Sequence, residues 1–197
     1  CMLIGADAPA TGYFIAALIA TTGIAFASGV QFMVIGLWRR GEGIYLSYAA
    51  LCLCIAVLAL GNVLLLGADG LAQAITALRW MIAAAIASFV PMVVFIRAYT
   101  GAGTRWRALI GMILLVAVLL WANQAAPTTL LFSRLEAGQP IVLPWGERLY
   151  RVTGAGSAWG LVFHAASYAV FLWALGRAWA QYRGGDALRA ALLGSCL

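Results

Sequence analysis

The stretch from Gly12 to Arg40 reads GYFIAALIATTGIAFASGVQFMVIGLWRR, an uncharged run ending at Trp38 and closed by Arg39 and Arg40. About 20 apolar residues suffice for a helix to cross a bilayer, so the run predicts a membrane span. The pattern repeats down the chain. Further apolar runs cover about Ile44 to Gly67, Ile75 to Tyr99, Trp106 to Gln124 and Ser157 to Ala178, and another begins near Ala187 and continues to Leu197. Basic residues close alternate runs: Arg39 and Arg40 after the first, Arg97, Arg105 and Arg107 after the third, Arg177, Arg183 and Arg189 after the fifth. The gaps after the second and fourth runs carry no comparable surplus. Alternation of this kind is the positive-inside pattern of a multi-pass membrane protein. It predicts an all-α protein with five full transmembrane helices and the start of a sixth, its N-terminus outside.

Composition agrees. Hydrophobic residues make up 65% of the 197 and charged residues 9%, against roughly 25% charged in soluble domains, and the mean hydropathy is +0.99. The chain reads as a single membrane domain over 1–197, with the lipid bilayer as its surroundings. The net charge of +6 is spread over membrane exits and forms no basic stripe, so nucleic acid is not an expected partner. Cys52 and Cys54 lie two apart in an apolar run and face different sides of a helix, which fits packing better than a disulfide or a metal. The start at Cys1 and the stop at Leu197, within a new apolar run, read as those of a piece of something longer.

The one long connection, 125–156, is expected on the outer face. Within it Gln139 to Leu143 and Glu147 to Val152 flank Pro144-Trp145-Gly146, and two β-prone stretches around a Pro/Gly turn predict a small periplasmic hairpin. In the third span, Pro91 predicts a kink.

Polar groups within a bilayer are costly and mark the first places to look for function. At 1.5 Å per residue, Asn62 lies about 8 Å inside the outer end of its span, Arg79 about 6 Å and His164 about 10 Å, with Tyr168 one turn deeper. Asn123 and Gln124 end the fourth span on the same side. These residues share one leaflet, so a ligand pocket opening outward would be lined by Asn62, Arg79, Trp80, Trp121, Asn123, His164 and Tyr168. The competing explanation is that each makes an interhelical hydrogen bond or, like Arg79, reaches the interface.

What is missing narrows the chemistry. His164 is the only histidine, so neither a bis-histidine haem nor a multi-histidine metal site fits one chain. No lysine occurs, which excludes a Schiff base. The acids Asp7, Glu42, Asp69, Glu136, Glu147 and Asp186 sit near ends or in loops, whereas an ion-coupled pump places them at mid-membrane. No phosphate-binding loop, zinc-hydrolase motif or serine-hydrolase elbow is present. No catalytic set, cofactor or metal is therefore expected.

Four stretches resemble the N-terminal seven-helix membrane region of bacterial sensor histidine kinases, a region that also precedes PAS and diguanylate-cyclase modules. They are Leu58-Ala59-Leu60-Gly61-Asn62; Ala77-Leu78-Arg79-Trp80 with Ile96 to Gly101; Leu120-Trp121-Ala122-Asn123-Gln124; and Gly156-Ser157-Ala158-Trp159-Gly160 running on to His164, Ser167, Tyr168, Tyr182 and Arg183. The resemblance spans residues 12 to 197. It implies a sensor region of a bacterial signal-transduction protein in the inner membrane, working as a homodimer, with a kinase or cyclase module C-terminal to it. A hydrophobic small molecule would be the ligand. The alternatives are a transporter or permease subunit, for which a single interior Pro91 is thin support, and a structural subunit of a larger membrane complex.

Overall fold

The computed structural model describes residues 13–39, 43–68, 70–101, 106–137, 141–142, 148–149 and 152–185. Six helices and four short strands follow in order: α1 (Tyr13–Trp38), α2 (Gly43–Leu66), α3 (Leu71–Ala87), α4 (Phe89–Thr100), α5 (Trp106–Ala125), β1 (Phe132–Ala137), β2 (Ile141–Val142), β3 (Arg148–Leu149), β4 (Val152–Gly156) and α6 (Ala158–Arg183). Taken with α3 and α4 as one span, five helices among the described residues are long and apolar enough to cross a membrane. The five expected full spans are therefore present, and the last runs on to Arg183, beyond the expected end at Ala178. The expected sixth segment, 187–197, and the N-terminal residues before Tyr13 lie outside the described residues.

The third span breaks where its sequence predicts. Pro91 has no N–H, so the carbonyl of Ala87 loses its helical donor. Helix α3 ends at Ala87 and α4 resumes at Phe89, with Ser88 between them in right-handed geometry. The Ser88 hydroxyl donates back to the Ala85 carbonyl at 2.7 Å.

Short connections make neighbouring spans antiparallel. One end of the bundle therefore carries the strands and the other carries Arg39, Arg97, Arg107, Arg177 and Arg183. At the arginine end, Trp38, Trp106, Trp179 and Tyr182 are exposed, and at the hairpin end Tyr13, Trp121 and Trp159 are exposed. Two aromatic rings of this kind are the interfacial belts of a membrane protein. Exposed Leu, Ile, Val and Phe side chains between them would face lipid.

Packing relies on small residues, because apolar surface gains little by leaving lipid and close van der Waals contact has to hold helices together. Helix α1 meets α2 at Gly29 and Gly36. A Cβ at Gly36 would lie 2.9 Å from the Leu46 side chain and 3.2 Å from its backbone nitrogen. Helix α2 meets α3 at Gly61, where a Cβ would collide with Met81. Buried Ala56, Ala59, Ala74 and Ala77 continue that alanine-rich contact. A tighter apolar core lies between α3, α4 and α5, around Ile82, Ile86, Phe89, Val116 and Leu119, with Leu130 of the following loop sealing its hairpin end. Helix α6 is attached more sparsely, by Ala174 and Ala178 against Ile96, by Phe163 stacked on Phe89 at 5.9 Å, and by the Gln181 amide donating to the Thr100 carbonyl at 2.9 Å.

Between α5 and α6 the four short strands form two antiparallel pairs. Strands β2 and β3 pair antiparallel, Ile141 opposite Leu149. Outside them, β1 and β4 also pair antiparallel, with a register shift between Phe132 and Arg134. At Gly154 a Cβ would strike the Arg134 carbonyl, so the ladder needs glycine there. The turn at 143–147 lies outside the described residues.

Candidate functional site

The structure draws two of the seven expected site residues into one network. Arg79 extends from α3 to the end of α5. Its Nε donates to the Thr128 carbonyl at 2.8 Å, and its Nη2 donates to the carbonyls of Ala126 at 2.6 Å and Pro127 at 3.2 Å. Helix α5 ends at Ala125, so the three carbonyls lie just past its last residue, at the negative end of its dipole. An arginine charge in a bilayer costs about 2.5–3.5 kcal/mol by insertion scales. Here that charge is set against an array of dipoles of the right sign. Pro127, two residues past the helix, cannot prolong it and turns the chain back over Arg79.

Asn123 fastens the same loop from beneath. It is 0% exposed. Its amide nitrogen donates to the Arg79 carbonyl at 3.0 Å, and its Oδ1 accepts from the Leu130 N–H at 3.2 Å. The Thr128 hydroxyl donates to the Phe132 carbonyl, where β1 begins. The Thr129 hydroxyl is buried with no partner among the described residues.

The network continues into α6. Ser157 is its N-cap, with extended backbone geometry, and its hydroxyl accepts from the Gly160 N–H at 2.9 Å, satisfying one unpaired donor of the first turn. The same hydroxyl donates to the Leu130 carbonyl, and the Ser157 N–H donates to the Leu131 carbonyl at 2.9 Å. Gly160 lies directly against that backbone, since a Cβ there would be 3.1 Å from the Leu131 oxygen and 3.3 Å from its Cα. Residues 126–131 therefore tie together α3, the end of α5, the start of β1 and the start of α6.

The other five expected residues stand apart from this network. The Asn62 amide donates back to the Leu58 carbonyl of its own helix at 2.9 Å. Trp80, Trp121 and Tyr168 are 62%, 69% and 68% exposed and face outward from the bundle. His164 is also exposed and meets only the edge of Phe163, with ring centroids 5.5 Å apart. No described contact links Asn62, Trp121, His164 or Tyr168 to Arg79 and Asn123. Pro127, Thr128, Leu130, Ser157 and Gly160 were not expected in the site. Of these only Ser157 has a local signal, as a serine placed just before an apolar run.

The described cavities are apolar. One, of ≈ 310 Å³, lies across α3 between α2 and α5 and includes Trp80. Another, of ≈ 210 Å³, lies between α4, α5 and α6 beside Val93, Met112 and Trp173. No group of three or more metal-ligating side chains occurs among the described residues.

No family model, curated protein or solved structure matches the chain.

Proposed function

We propose that the chain is the membrane-embedded sensory region of a bacterial signal-transduction protein of the inner membrane, with the hairpin in the periplasm and the arginine-rich end in the cytoplasm. The observation that carries this reading is the Arg79–Asn123–Ser157 network. It makes the hairpin mechanically continuous with α6, and α6 is otherwise lightly packed. A ligand or surface event that moves β1 pulls on residues 126–131, and through Ser157 and Gly160 on the start of α6. The far end of α6 would lie at the cytoplasmic face, and its movement would pass through the spans that follow it to an output module. Such a ligand acts only through its different affinity for the two arrangements. As the sequence resemblance implies, the working unit is a homodimer.

Two measurements on the full-length protein in cells test the reading. In a background without native cysteines, Glu136→Cys should react with a membrane-impermeant maleimide, and Tyr182→Cys only after permeabilisation. Asn123→Leu and Ser157→Ala, at normal expression, should shift the resting output of the kinase or cyclase module several-fold, whereas Asn62→Leu should not. The opposite labelling pattern refutes the orientation. Unchanged output in both network variants refutes the coupling.

A further inference from the structure

Arg79 precedes Ala83 of the apolar groove across α3 by four residues, about one helical turn. The groove's walls are Leu53 and Val57 of α2 and Leu120 of α5, its floor is Ala83 and Ala87 of α3, and Trp80 lies at its hairpin end. The residue before Trp80 is Arg79. Its guanidinium lies still closer to the hairpin, over the end of α5, the helix that supplies Leu120. Arg79 bonds only to the backbone carbonyls of residues 126–128, and no carboxylate reaches it among the described residues. A carbonyl is a neutral dipole. A carboxylate offers arginine a charge-assisted, two-pronged contact roughly twice as strong as a neutral one. A cation one turn from an apolar slot complements an anionic head on an apolar tail. The groove volume of ≈ 310 Å³ lies at the lower end of the roughly 300–1,000 Å³ of small-molecule sites, which suits one alkyl chain better than two.

We propose that Arg79 and this groove bind a single-chain anionic amphiphile, the chemical class of long-chain fatty acids, with the carboxylate on the guanidinium and the chain along Ala83 and Ala87. This names the ligand class for the sensory reading and rests on that reading for its consequence. An anion that takes the guanidinium frees the carbonyls of Ala126, Pro127 and Thr128, loosening the loop that holds the start of α6.

The test uses the chain in phosphatidylcholine nanodiscs, with empty discs as the partition control. Bromine quenches tryptophan on contact and Trp80 adjoins Arg79, so 2-bromododecanoate, which carries its bromine beside the head group, should give saturable quenching at a concentration at least tenfold lower than 2-bromododecan-1-ol, and acetate should give no change. Trp80→Phe should remove most of the saturable component. Arg79→Gln should erase the preference for the acid over the alcohol. Ala87→Leu fills the groove without touching the arginine network, and should abolish saturable quenching by both at unchanged melting temperature. Equal potency of acid and alcohol overturns the proposal, as does a preference that survives in Arg79→Gln. If Arg79→Gln fails to fold, saturable quenching retained in Ala87→Leu overturns it. A failure here leaves the hairpin-to-α6 coupling standing, because output in the network variants is measured without any amphiphile.

Discussion

Replacing Asn123 by alanine should loosen the hairpin end of the bundle more than any other single polar truncation within the spans. Its side chain makes two bonds while 0% exposed, to the Arg79 carbonyl and from the Leu130 N–H. The two losses are unequal. The Arg79 carbonyl lies inside α3 and keeps its helical donor. The Leu130 N–H has no second acceptor among the described residues, and an unpaired buried donor costs about 1–3 kcal/mol. Interhelical polar contacts in bilayers are worth about 0.6–2 kcal/mol, so the expected loss is about 2 kcal/mol. At 1.4 kcal/mol per factor of ten, that is about a 30-fold change in the unfolding equilibrium. Asn62→Ala is the internal control. Asn62 bonds only to the Leu58 carbonyl of its own helix, so its loss should stay within about 0.5 kcal/mol. SDS-driven unfolding in mixed micelles, followed by tryptophan fluorescence, measures both. Asn123→Ala unfolding at the wild-type midpoint, or Asn62→Ala costing as much, would refute the view that Asn123 is the fastening of the loop.

Two further substitutions probe the same junction. Gly160→Ala places a methyl 3.1 Å from the Leu131 carbonyl oxygen, and neither backbone yields cheaply. Unfolding should become easier by about 1–3 kcal/mol, while Gly176→Ala, with nothing within 4 Å, should be neutral in the same assay. Thr129→Val removes a buried hydroxyl that has no described partner and keeps the shape, so it should raise stability by about 1 kcal/mol. A loss of stability there would show that the hydroxyl is bonded in the folded protein.

The hydrophobic pattern made the spans legible because a bilayer demands one thing of each crossing: an uninterrupted apolar stretch with its backbone bonded internally. The runs ending at Trp38 and Gln124 match α1 and α5 to within a residue. Pro91 marked its break because a missing N–H acts locally. The inner part of the hairpin was legible from Pro144 and Gly146. Pairing of β1 with β4 was not, since Phe132 to Ala137 has no alternating pattern of its own and is held by partners 15 to 24 positions away.

The site divides along the same line. Depth is a one-dimensional property, and it picked out Arg79 and Asn123 together with Asn62, His164 and Tyr168. Direction is not. Asn62, Asn123 and His164 look alike in the sequence, yet one bonds to its own helix, one is completely buried between helices, and one faces outward. Which happens depends on how each helix is rotated about its axis. In a chain apolar all round, no polar face records that rotation. It follows instead from where Gly29, Gly36 and Gly61 let neighbours approach, and from the carbonyls that Pro127 turns toward Arg79. The sequence by itself determined which described stretches are long and apolar enough to cross a membrane and where the charges gather, because lipid reads composition segment by segment. Only the tertiary structure decided that Arg79 bonds the carbonyls just past α5 and that the start of α6 hangs from the same loop, because those bonds join residues 26 to 49 positions apart that no local pattern relates.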